Sequence, residues 1–209
     1  MMLTDETGVP QAALPVADFK AHLRLGSGFA EDDLQDTVLE GFLRAAITAI
    51  EGRTGKVLIT RSFCWEIAEW RDPVEQGLPL APVTAVTSLT LVGATGAEEV
   101  VAPERFRLVK DDQRPRIEAT GMALPAIPTE GVARLVLVAG HAACWGELPA
   151  DLGQAVLLLA AHYYEYRDET ALGAGCMPFG VTALIERYRT VRLFAGPGAG
   201  RATGRGASR

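Results

Sequence analysis

The sequence predicts an α+β chain, mainly α: a helical bundle built from N- and C-terminal helices, with a small antiparallel β module inserted between them and a basic flexible C-terminal tail. Two observations carry this. Apolar residues recur at helical spacing near both ends of the chain and at period two in its middle. Beyond Phe194 the apolar content falls too low for the segment to fold alone. The expected organisation is one domain over residues 1–194, with helices at about 16–25, 31–51, 151–166 and 181–190, a β module at about 59–140, and a tail over 195–209.

Val16, Phe19, Leu23 and Leu25 fall on one side of a short helix that a Gly26-Ser27-Gly28 stop ends. The next helix opens at Glu31-Asp32-Asp33, where negative charge complements the positive end of the helix dipole. It carries two apolar rows, Leu34/Val38/Phe42/Ala45/Ala49 and Leu39/Leu43/Ile47/Ile50, a face wide enough to pack against more than one neighbour. Gly52 and Gly55 break it. An extended segment follows from Ile59 to Trp70, and Thr84–Val92 alternates hydroxyl residues with aliphatics. Phe106–Lys110 and Arg116–Ala119 resemble a hairpin around Asp111–Pro115, and Val132–Gly140 closes the β region. Pro149 and Asp151 mark the start of a helix that is apolar nearly all round, which suits a central place in a bundle. A last short helix carries Val181–Arg189.

The chain of 209 residues, 48% of them hydrophobic, suffices for one sizeable core. Its formal charge is -6, but unevenly spread. From Arg187 onward there are six arginines and no Asp or Glu, leaving 14 basic against 26 acidic residues and a charge of -12 before that point. An acidic body repels nucleic acid, whereas the end of the chain attracts anions. Cys64, Cys144 and Cys176 fit neither a CxxC pair nor an even disulfide framework, which points to a reducing compartment. The first residues lack the basic end and apolar run of a secretory signal, and no stretch reaches the length of a membrane span. The expectation is a soluble chain made in the bacterial cytoplasm, with no membrane partner.

Residue patterns for chemistry are sparse. His162 and Glu165 stand i, i+3 on a predicted helix, a spacing that can aim two metal ligands one way, but a single pair supplies too few ligands. Arg53-Thr54-Gly55-Lys56 resembles a phosphate loop only in placing glycine before lysine; the upstream glycine and the following Ser or Thr are absent, and a helix stop explains it. Ser62, Ser88 and Cys64 lack a nucleophile-elbow setting. The expectation is no enzyme, no metal and no cofactor.

The C-terminal segment is the candidate site. Tyr188, Val191, Leu193 and Phe194 interleave with Arg187, Arg189 and Arg192, and Arg201 and Arg205 follow. A purely electrostatic tail needs no apolar anchors, so this mixture favours docking onto protein. A DNA-binding accessory protein acting through the arginines is the competing reading.

Read together, Val16–Arg24, Ile50–Thr60, Leu80–Val86, Leu137–His141, Glu147–Leu152, His162–Arg167 and Leu184–Arg189, in that order and spacing, resemble the head–tail connector (adaptor) family of long-tailed phages, whose relatives occur in gene transfer agents and prophages. The resemblance spans nearly the whole chain; the glycine-rich arginine extension past Phe194 departs from the family's compact endings. It implies a virion neck protein forming a ring of about twelve copies. It also implies attachment to the portal protein through the C-terminal segment, a second face for a stopper or tail-completion protein, and DNA passing through the channel without specific binding. Under that reading Tyr188, Leu193 and Phe194 are apolar anchors in portal grooves, Arg187, Arg189 and Arg192 pair with portal carboxylates, and Val191, Arg201 and Arg205 belong to the same portal-docking segment. Deletion after Glu186 is then expected to leave a folded subunit that does not bind portal.

Overall fold

The computed structural model describes residues 1–25, 33–167 and 177–189. They begin with strand β1 (Met2–Asp5) and helices α1 (Val16–His22) and α2 (Asp33–Thr54). Strands β2 (Arg61–Ile67), β3 (Glu75–Gly77), β4 (Val83–Val92), β5 (Glu98–Val100), β6 (Phe106–Val109), β7 (Arg116–Ala119) and β8 (Val132–Ala139) follow. Helices α3 (Ala150–Glu165) and α4 (Phe179–Ile185) come last.

The expected bundle with a small inserted β module is not what forms. The eight strands make two antiparallel sheets, one of five strands in the order β1-β2-β8-β4-β5 and one of three in the order β3-β7-β6. Nor is the β region an insert: β1 precedes every helix and pairs with β2, so the larger sheet draws on both sides of the N-terminal helices. The sheets enclose their own hydrophobic cluster, with Phe63, Trp65 and Ile67 from β2, Leu135 and Leu137 from β8, and Ile117 from β7. A separate cluster lies among the helices. The chain therefore has two cores.

In β8 each second residue is buried, and Ala133, Leu135, Leu137 and Ala139 face the smaller sheet. That alternation follows from the two-residue period of a pleated strand with one covered face. In the helical layer α3 packs on α1, α2 and α4, and Leu152, Ala155, Val156, Leu159 and Ala160 lose all solvent contact. Each fully buried leucine contributes about 2 kcal/mol by removal from water. Of the two rows expected on α2, one is the core face: Leu39, Leu43, Ile47 and Ile50 are buried. The other lies along the flank, where Phe42 meets the edge of Tyr164 at 5.9 Å and Val38 is 51% exposed. In α1, Phe19 carries the packing, and Arg24 just beyond it has a left-handed φ of 55°.

The two cores meet at a narrow junction. Residues 57–60 run beside residues 140–142, with His141 N–H donating to the Val57 carbonyl (3.0 Å) and Thr60 N–H to the Ala142 carbonyl (2.8 Å). Glu51 at the end of α2 grips Arg61 at the start of β2 with both carboxylate oxygens (2.9 and 2.7 Å), and Arg61 Nε reaches Asp5 in β1 at 2.6 Å. Glu51 also accepts the Leu58 N–H at 2.8 Å.

Candidate assembly interface

Pro178 caps α4, whose Val181 and Ile185 are buried in the helical core, and the helix tightens into a 3-10 turn over Glu186–Tyr188. This turn delivers three of the predicted docking residues. Tyr188 lies half-buried against the helical core, with its ring edge-on to His141 at 5.8 Å. Its hydroxyl donates to Asp151 Oδ1 at 2.8 Å, and Arg187 Nη2 reaches Asp151 Oδ2 at 2.7 Å. The Arg187 guanidinium also lies 4.7 Å from the Tyr188 ring centroid. Asp151 occupies the first turn of α3, where a carboxylate opposes the positive end of the dipole. It clasps the end of α4 to the start of α3.

The chemistry here is modest but directional. Burial raises the Tyr188 phenol above its ordinary range, so the ring stays neutral and its proton points at Asp151. The Arg187 side chain is 68% exposed, so water and salt screen its ion pair with Asp151 strongly. Arg189 pairs with Glu186 at 2.9 Å in an exposed i, i+3 contact of similarly small effect. Tyr188→Phe is expected to cost about 1 kcal/mol, the typical net value of a half-exposed hydrogen bond to a charged acceptor, measured as a shift in the urea midpoint. Val191, Arg192, Leu193, Phe194, Arg201 and Arg205 lie outside the described residues.

Sequence reading missed Asp151 and His141 as neighbours of Tyr188. Asp151 reads as a helix-start residue, and the 37 positions separating it from Tyr188 leave no local signal. His141 is half-buried beside the junction; burial lowers its pKa, and its Nε2 has no hydrogen-bond partner among the described residues.

The other candidates settle into structural roles. Thr54, Gly55 and Lys56 form a helix end: the Thr54 hydroxyl donates to the Ile50 carbonyl at 2.8 Å, and Gly55 takes a φ of 70°. Lys56 is buried, and its Nζ donates to the Asp112 carbonyl at 2.5 Å. Burial lowers its pKa, while Asp111 and Asp112 oppose that shift. His162 stacks on Tyr166 with centroids 4.7 Å apart. Among the described residues no group of three His, Cys, Asp or Glu side chains is placed to hold a metal ion, and no helix is long and apolar enough to cross a membrane.

No family model and no curated protein matches the chain. Solved structures do. A chain in the neck of an empty GTA particle, computed with C6 symmetry, is 56% identical with a TM-score of 0.85, the match covering 94% of this chain and 99% of that one. This chain belongs to the head–tail connector (adaptor) family of long-tailed phages and gene transfer agents. A chain in the neck of the native GTA particle, computed with C12 symmetry, is 52% identical over the same shares with a TM-score of 0.80. One in the virion of the native gene transfer agent (GTA) particle is 55% identical, again covering 94% and 99%, with a TM-score of 0.82. The connector is thus a structural protein of a particle neck and not an enzyme.

Proposed function

We propose that this connector forms a closed ring beneath the portal, grips the portal with its C-terminal segment, and presents another face to a stopper or tail-completion protein while the ring encloses part of the DNA channel. What carries this reading is the likeness, over 94% of the chain, to proteins in necks of C6 and C12 symmetry. Cyclic symmetry of that order suits a ring through which one duplex passes. The formal charge of -12 before Arg187 supports the channel role, because a negatively charged wall does not retain DNA phosphates.

Portal docking is supported by the segment's composition and by its starting point. Tyr188 and Arg187 are engaged by Asp151 of the same subunit, which holds the start of the segment against the body. That also refines where to cut. Deletion after Glu186 removes Tyr188 from the helical core and confounds folding with docking, whereas deletion after Arg189 spares it. The chain ending at Arg189 is expected to keep its urea midpoint and to lose portal capture by roughly 30-fold or more, the scale of losing central anchor residues. Unchanged portal capture by the truncated chain would overturn the docking role. If the arginines instead serve DNA, full-length chain binds duplex with a steep salt dependence that the truncation flattens, and portal capture stays intact.

A further inference from the structure

Among the described residues, neither of the two hydrophobic cores covers the second face of the five-stranded sheet. Side chains directly opposite one another across an antiparallel sheet share a face. The register therefore places Thr4, Cys64, Val136 and Ser88 in one row, on the side away from the smaller sheet. Ser62 and Val138 stand beside it in the next row. Val132, Val136 and Val138 of the central strand are only partly buried and pack against neither hydrophobic core. At the two edges of the same face Met2 is 58% and Val100 72% exposed. A central strand with valine at three of its four outward positions, Arg134 being the fourth, is more apolar than a fully solvated face requires.

The charges on this face are few and net negative: Arg134 pairs with Glu66 and Glu98, each at 2.8 Å, and Glu6 lies near Cys64. Such a surface does not attract phosphate, so its partner is protein and not DNA. The last described residues, Arg187 and Tyr188, lie beside Asp151 at the start of α3 and not on this face. Five strands about 4.8 Å apart and some six residues long give a plane of roughly 400 Å², half of the about 800 Å² per partner in a stable interface.

Resting on the ring reading above, we propose that this sheet face is one side of the contact between neighbouring copies of the connector. In a cyclic ring of more than two subunits every contact is heterologous: one surface of each copy meets a different surface of the next. The uncovered valine face supplies one of those two surfaces, and Val136 stands at its centre.

Cys64 reports on this directly, because it sits in the Val136 row with its thiol partly accessible. Full-length chain carrying Cys144→Ser and Cys176→Ser is alkylated with a maleimide, as free subunit and as rings assembled alone or on purified portal. Labelling of Cys64 is expected to slow by roughly tenfold or more in the ring, as it does for groups sealed from water at the centre of an interface. Val136→Arg is expected to lower ring yield by a similar factor while the melting temperature of the free subunit is kept. Rings whose Cys64 labels at the free rate, or Val136→Arg rings at wild-type yield, overturn the inference and leave the ring reading standing. Failure of the wild-type chain to form rings under either condition removes both.

Discussion

Gly140→Ala is expected to remove more than about 4 kcal/mol of the stability of the chain at 25 °C. Gly140 ends β8 at the junction of the two cores with φ at +152°, a conformation that L side chains rarely adopt. A Cβ there would lie 2.3 Å from Thr60 Cα and 2.4 Å from Thr60 N, both backbone atoms that cannot turn aside. The strands of chain crossing at this point are tied by the Gly140 N–H to the Pro82 carbonyl (3.1 Å) and by the bonds of residues 57–60 to 141–142. Relief requires the crossing to open, and the cost is expected to exceed about 4 kcal/mol, a large part of the 5–15 kcal/mol that holds an ordinary domain together. Gly96→Ala is the matched control. Its φ is +82°, but no heavy atom lies within 4 Å of the added carbon. Only the local backbone penalty of about 1 kcal/mol applies. Urea melts of the two variants should differ severalfold in lost stability; equal losses would show that the crossing is not tight.

Arg61→Met should cost about 3 kcal/mol. The Arg61 and Glu51 side chains are 8% and 12% exposed, so the pair is shielded from water and from salt. Burial alone would lower the Arg61 pKa, yet hydrogen bonds from Glu51 and Asp5 raise it overall. Removing the guanidinium leaves the Glu51 carboxylate buried with the Leu58 N–H as a remaining donor, and an uncompensated buried charge is what makes breaking such pairs expensive. Asp5→Asn should cost less than about 1 kcal/mol, because Asp5 is 35% exposed and a neutral amide oxygen still accepts from Arg61. Chemical denaturation in low and high salt separates the two effects. The Arg61→Met loss should be nearly the same at both salt concentrations.

Much of this architecture was legible in the residues, and the part that was not has a physical cause. Helical spacing marked α2 and α3 because each has a continuous buried stripe, of Leu, Ile and Ala in α2 and of Leu, Val and Ala in α3. Alternation of hydroxyl residues with aliphatics marked β4, and an apolar run marked β8, where every second residue is buried. What escaped was the weight of the β layer. β1 is exposed at every residue, and β3 and β5 are three-residue strands rich in Glu, so none carries a burial pattern to read. The strands pair through partners far apart in sequence, as Glu66 with Arg134, and no local pattern encodes that. At the candidate site the docking residues were named from composition, whereas the carboxylate that orients them was hidden by distance along the chain. The uncovered sheet face was hidden too, because alternation tells which residues are covered by the chain's own core and is silent about covering by a neighbour.

The order of elements also dictates when the connector can fold during synthesis. β8 sits between β2 and β4, so the larger sheet cannot close until residue 139 exists, although β1 and β2 are made long before. α3, the helix on which the other three pack, is completed only at residue 165. Neither core can form while the chain is half-made, and pairings this remote in sequence are slow. The sheet core therefore waits for residue 139 and the helical core for residue 165.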